Sequence, residues 1–229
     1  MNKSQQFRTA CAPRSSSAAG FHQRTAAAVS RRQRRAAETR VRLFRSALKL
    51  IAGRGFANVT VEDITEAADV GKGTFFNYFA SKDHVLGVMA EIQVAKVREA
   101  ASLATKTKRS IYSVLHRLVR RLAEEPGRSP RLARAFLASF LASESVREIL
   151  KRHMREGRMT IAQVIAAGQR RGEIDPRLNK ERVARQLLQM VMGTVLIWTL
   201  HEKPSLKAWM EQSFQHYWRS IAAREEDEK

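Results

Sequence analysis

The sequence predicts an all-α chain: an N-terminal three-helix helix-turn-helix domain followed by a larger helical domain. Three observations carry this. Apolar residues recur at helical spacing along most of the chain and no strand-like alternation stands out. Turn chemistry then cuts that periodicity into segments, at Gly53 and Gly55, at Pro126-Gly127-Arg128-Ser129-Pro130, at Gly172 and Pro176, and at Lys203-Pro204. Finally, two short segments meet at Asp69-Val70-Gly71, where small Ala67 and Ala68 allow two helices to cross sharply.

In chain order, residues 1–30 come first. They are rich in Ala, Ser, Thr and Gln, carry Lys3, Arg8, Arg14 and Arg24, and lack both acidic residues and the apolar core of a secretory signal. Low apolar content predicts a disordered basic tail, a bias that organelle transit peptides share. Cys11 is the single cysteine, so no intrachain disulfide can form, and a reducing compartment is expected. Arg31, Arg32, Arg34 and Arg35 follow as a cluster. They form either a solvated charge run or, beside a helix-turn-helix, an arm for the minor groove or the phosphates.

A first helix over about 36–54 follows from Val41, Phe44, Leu48 and Ile51, a core-facing stripe, with Phe56 and Val59 leading onward as core residues. Thr60 is a good N-cap and Asp63 can reach back to it as a capping box. Val61, Ile64, Ala67 and Ala68 give the second helix its apolar stripe. The third, over 72–79, turns Phe75 and Phe79 inward and leaves Lys72, Gly73, Thr74, Phe76, Asn77 and Tyr78 outward or on its flanks. Such a surface suits DNA. A helix start with Lys, Gly and Thr attracts phosphate, Asn pairs bidentately with adenine, and Lys reaches the guanine acceptors. Ser81 caps the next helix and places Lys82 for another phosphate.

The run Val-Gly-Lys-Gly-Thr-Phe-Phe-Asn-Tyr-Phe-Ala-Ser-Lys over 70–82, with Asp83, resembles the DNA-binding core of the TetR (tetracycline-repressor) family of bacterial regulators, and 40–56 resembles that family's first helix. The resemblance implies phosphate contacts from Thr60, Thr74, Tyr78 and Lys82, and base contacts from Lys72, Gly73 and Asn77. It also implies a homodimer built on the last two long helices, a palindromic operator on double-stranded DNA, and a small-molecule effector held in the second domain. Three positions depart from the family pattern. Asp69 stands where a small residue is usual, Gly71 where serine often caps, and Phe76 where tyrosine is frequent.

Beyond Lys82, helices are predicted over about 82–104, 109–125, 130–142, 145–171, 179–201 and 205–223, with the acidic run 225–229 as a tail. The domain boundary is placed after Asp83, leaving 84–224 for effector binding and dimerisation. Trp209, Phe214 and Trp218 are either dimer anchors or intrachain core. Phe136, Phe140, Met190 and Trp198, joined by Met154 and Ile161 with His153 or Gln163 as polar groups, are either effector-cavity lining or ordinary core.

The net charge is +20, with 42 Lys+Arg against 22 Asp+Glu. Through Asp83 there are 15 basic and 6 acidic residues, a denser excess than the 27 and 16 that follow. Such a field draws polyanions without choosing a sequence, so a non-specific architectural DNA-binding protein is the alternative reading. No window is expected to span a bilayer, and no membrane partner is expected. The six histidines lack metal-site spacing, and Gly71-Lys72-Gly73-Thr74 lacks the upstream glycine of a phosphate loop. Catalytic residues, metals and cofactors are therefore expected to be none.

Overall fold

The computed structural model describes residues 18–201 and 203–223, with backbone alone for 18–30. Among the described residues ten helices follow one another: α1 Ala18–Arg54, α2 Val61–Ala67, α3 Lys72–Phe76, α4 Lys82–Lys106, α5 Ile111–Leu122, α6 Glu124–Arg128, α7 Pro130–Ala142, α8 Glu144–Arg170, α9 Lys180–His201 and α10 Leu206–Ile221. A lone antiparallel bridge, Ile174 to Ala222, is the only extended pairing among them. The all-α expectation holds.

The chain divides into two compact units, one ending at Arg42 and the other beginning at Leu43. In the first, helix starts at Ala18, well before residue 36. The cause is alanine-rich composition (Ala18, Ala19, Ala26, Ala27, Ala28), which favours helix without needing an apolar stripe. Residues 1–17 of the anticipated tail lie outside the described residues. Arg31, Arg32, Arg34 and Arg35 are helical and all exposed. Arg34 Nε sits 3.3 Å from Glu38 one turn on.

The second unit holds two apolar cores. The smaller is built from Leu43, Ala47 and Ile51 of α1 with Val59, Ile64, Ala68, Phe75 and Phe79, and is closed by Val85 and Leu86 of α4 and Val146 of α8. The buried stripe of α1 is thus 43-47-51, with Phe44 and Leu48 half-buried beside it, not the stripe read from Val41, Phe44 and Leu48. Helix α4 enters both cores, with Val85 and Leu86 in the smaller and Val97, Ala100 and Ala104 in the larger. Gly55 ends α1 at φ 78°, its N–H reaching Ile51 O at 2.9 Å.

The larger core joins α4, α5, α8, α9 and α10 around Ile111, Leu115, Leu118, Ile161, Ile165 and Phe214. A residue at α8's end shows how tightly it closes. Gly172 (φ 71°) ends the helix in a Schellman turn, Glu173 N–H bonding Gly168 O at 3.0 Å, and Ile174 folds back over Gly168. A Cβ on Gly168 would lie 2.6 Å from Ile174 Cδ1. Where a plain break was anticipated at Pro126, α6 forms, because Pro126 is in its first turn, where no N–H is needed. One further expectation fails: α9, 22 residues long, contains an 18-residue window of mean hydropathy 1.3, long and apolar enough to cross a membrane. Its Val183, Ala184, Leu187 and Trp198 are buried in the larger core, while Leu196, Ile197 and Leu200 are exposed.

Candidate functional site

The helix-turn-helix is assembled from α2 and α3. Thr60 caps α2 as anticipated: its Oγ1 accepts from Asp63 N–H at 3.1 Å, while Asp63 Oδ2 accepts from the Thr60 N–H at 2.8 Å. These bonds from Thr60, the backbone N–H foremost, hold the Asp63 carboxyl below the usual range, with Arg54 assisting. The cap is thus present above the ordinary carboxylate pKa and weakens as pH falls through the depressed value. Asp69, at φ 50°, makes the turn. Its N–H bonds Glu66 O at 3.0 Å and Val70 N–H bonds Thr65 O at 3.0 Å, a second Schellman ending in which aspartate stands where glycine is usual.

Helix α3 is a single turn ending at Phe76, with Asn77 as its C-cap, shorter than the 72–79 anticipated. Phe79 N–H still bonds Phe75 O at 3.0 Å, so the face survives beyond the helix. Phe75 and Phe79 are buried with ring centres 5.3 Å apart, while Lys72, Gly73, Phe76 and Asn77 are exposed and Thr74 and Tyr78 half-buried. Nothing lies within 4 Å of a Cβ built on Gly73, so that edge is open to an approaching surface. Gly71 supplies no side-chain cap.

Two of the named cations are already engaged. Lys72 pairs with Glu62, and that bond holds the Glu62 carboxyl below the usual range. Glu62 was not among the residues singled out from sequence, because an acidic residue in the first turn of a helix reads as dipole compensation. Lys82, expected on a phosphate, is engaged within the chain. Its Nζ donates to Phe56 O at 2.8 Å and Val59 O at 2.7 Å and lies 4.3 Å from the Phe56 ring centre. It pins the loop between α1 and α2.

A second feature lies inside the helical body, a cavity of ≈ 130 Å³ walled by α4, α7, α8 and α9. Phe136, Met154 and His153 line it. Phe140 does not: it stacks edge-on against Phe136 at 5.3 Å and packs on the smaller core. Trp198 is buried with its Nε1 donating to Pro204 O at 3.0 Å, Met190 packs on the larger core, Ile161 is core and Gln163 is exposed. The lining that sequence reasoning missed includes one face of α4, with Met89, Gln93 and Val97, and Leu188, Val191, Met192 and Val195 of α9. A glutamine inside an apolar stripe was the signal available on α4.

A third feature is on the late helices. Phe214 is fully buried and so cannot touch a partner; Trp209 and Trp218 are half-buried against the same core. The exposed apolar side chains are instead on α9, at Leu196, Ile197 and Leu200, with open space over Gly193 one turn before.

Comparison with known proteins bears on these features. Residues 43–89 match the family described as "Bacterial regulatory proteins, tetR family", and residues 108–221 match "Tetracyclin repressor-like, C-terminal domain". Over 54 residues the chain is 48% identical to the HTH-type transcriptional regulator TcmR of Streptomyces glaucescens, a match spanning 24% of each protein. Similar solved structures include SmeT, the repressor of the Stenotrophomonas maltophilia multidrug efflux pump SmeDEF, at TM-score 0.66 and 17% identity over 82% of this chain and 91% of that one. The transcriptional regulator FadR of Bacillus subtilis, in complex with stearoyl-CoA, gives TM-score 0.65 and 18% identity over 77% and 96%. The exposed face of α3 lies within the first match and the helical body from α5 onward within the second; together they cover both parts of the fold, and the chain belongs to the TetR family of bacterial regulatory proteins.

Proposed function

We propose that this chain is a transcriptional repressor that binds a two-fold symmetric operator as a homodimer and leaves it when a small molecule enters the cavity. The observation that carries the DNA reading is the division of α3: Phe75 and Phe79 fix the helix in the core, which leaves Lys72, Gly73 and Asn77 exposed on one edge. A short helix displayed in this way can enter the major groove, with Lys72 and Asn77 on base edges and Thr60, Thr74 and Tyr78 on phosphates. The basic surplus of the chain adds steering.

The effector reading is supported by α4. This helix starts at Lys82, directly after the helix-turn-helix, and its Met89–Val97 stretch walls the cavity. Asp83 Oδ1 accepts from Ser143 Oγ at 3.1 Å at the start of α8, so the two cavity helices also meet beside the DNA-binding core. Ligand entry would displace α4, and with it the spacing of two recognition helices. Dimer formation is supported by the exposed apolar run Leu196, Ile197, Leu200. In this reading the protein is cytoplasmic, works on the nucleoid, and has no catalytic step.

Selection from a random duplex library by the purified full-length protein, at about 150 mM salt where charge-only binding fades, tests the proposal. An enriched two-fold symmetric motif is expected. DNA recovered without a motif would favour the architectural alternative.

A further inference from the structure

The chemistry of the cavity names a class of molecule for the effector proposed above. Three contacts fix its polar groups. Gln93 Nε2 donates to Glu125 Oε2 at 3.3 Å; a carboxylate only accepts, so the amide nitrogen must lie on that side. Gln93 Oε1 is thereby left buried and without a partner on a residue that lines the cavity. Behind it Glu125 is already neutralised by Lys96, a buried lysine whose Nζ also donates to Arg121 O at 2.5 Å. On α8, another wall of the cavity, His153 Nδ1 lies 2.7 Å from Ile149 O. A carbonyl only accepts, so that nitrogen carries the proton, and in the neutral ring Nε2 remains an acceptor.

Gln93 Oε1 therefore accepts, and His153 Nε2 accepts whenever the ring is neutral. An anionic ligand would set negative charge against Gln93 Oε1 and Glu125, and a cation would add a second positive charge beside Lys96. A neutral donor suits the site. The remaining wall is apolar, with Val94, Leu122, Phe136 and Val191 joined by Met89 and Met192, whose flexible thioethers adapt to ring shape. The volume of ≈ 130 Å³ is close to the roughly 150 Å³ of a cavity that holds one benzene ring.

We infer that the cavity takes an uncharged, single-ring apolar molecule with one hydroxyl, the phenol class, its O–H donating to Gln93 Oε1. The unpartnered acceptor is the source of preference, because a ligand lacking the donor leaves it unsatisfied. This inference rests on the effector reading of the cavity, but it is tested without DNA.

Full-length protein is titrated calorimetrically with 4-ethylphenol, ethylbenzene and 4-ethylbenzoate. The phenol should bind about tenfold or more tighter than the hydrocarbon, and the carboxylate least tightly. Gln93→Leu should erase the gap between phenol and hydrocarbon while keeping hydrocarbon binding, which also shows that the variant folds; Gln93→Met repeats the test should leucine disturb α4. Gly157→Leu should abolish binding of both, since Gly157 lines the cavity with nothing within 4 Å of its Cβ position. Tighter binding of the carboxylate, a gap that survives Gln93→Leu and Gln93→Met, or no binding to the wild type would overturn the inference. Phenol binding that fails to release the selected operator would uphold it and remove the effector role instead.

Discussion

Asp69 carries an ordinary L side chain at φ 50°, a conformation glycine adopts at little cost. Asp69→Gly should stabilise the fold by up to about 1 kcal/mol in urea unfolding and, by removing a carboxylate from the turn before α3, tighten DNA binding measured by anisotropy. Nearby, Lys72 and Glu62 form an exposed pair, which adds little stability. Its consequence is competition: Lys72 must leave Glu62 to reach a base. Glu62→Gln should therefore raise operator affinity at constant melting temperature, whereas an unchanged affinity would mean that the pair persists on DNA. Lys72→Ala and Asn77→Ala should each cost about 1–3 kcal/mol at particular base pairs. Lys82 belongs to a different class. With its amine on two loop carbonyls, Lys82→Ala should lower stability by about 1–3 kcal/mol in thermal unfolding. An unchanged melting point with evenly weakened DNA binding would return Lys82 to the phosphates.

Helix α8 illustrates how one element fixes its neighbours. Its last turn must admit Ile174, and a Cβ on Gly168 would also lie 3.2 Å from Ile111 Cγ2 at the start of α5. Gly168→Ala gains helix propensity but forces both isoleucines aside, so a net loss of about 1–3 kcal/mol is expected in chemical denaturation. Gly157, on the same helix, faces open space. Gly157→Ala should be neutral or stabilising by up to about 1 kcal/mol, because only the propensity term acts. The contrast between two glycines eleven residues apart is not marked in the sequence, where both fall inside one long helical segment. It depends on which neighbour the fold places opposite each.

The surface of the whole molecule carries the remaining test. Leu196, Ile197 and Leu200 lie on the exposed side of α9, and Leu196→Glu with Leu200→Glu should leave the chain folded but monomeric in sedimentation and much weaker on a two-fold operator. A dimer that survives both changes would place the interface elsewhere. Much of this molecule could be read in advance. The helical class, the turn positions, the capping box at Thr60 and Asp63, and the inward pair Phe75 and Phe79 are local properties, set by spacing within one or two turns. Sequence also carried the family through the run from Val70 to Lys82. What it could not determine is how one helix meets another. The stripe of α1 shifted to Leu43, Ala47 and Ile51, Phe214 went to the interior, and three of the five aromatic or methionine residues named for the cavity went to packing elsewhere. An apolar side chain at helical spacing reports only that it will be covered. Whether a neighbouring helix, a partner or a ligand covers it depends on the distances between helices, and those arise only when the whole chain packs.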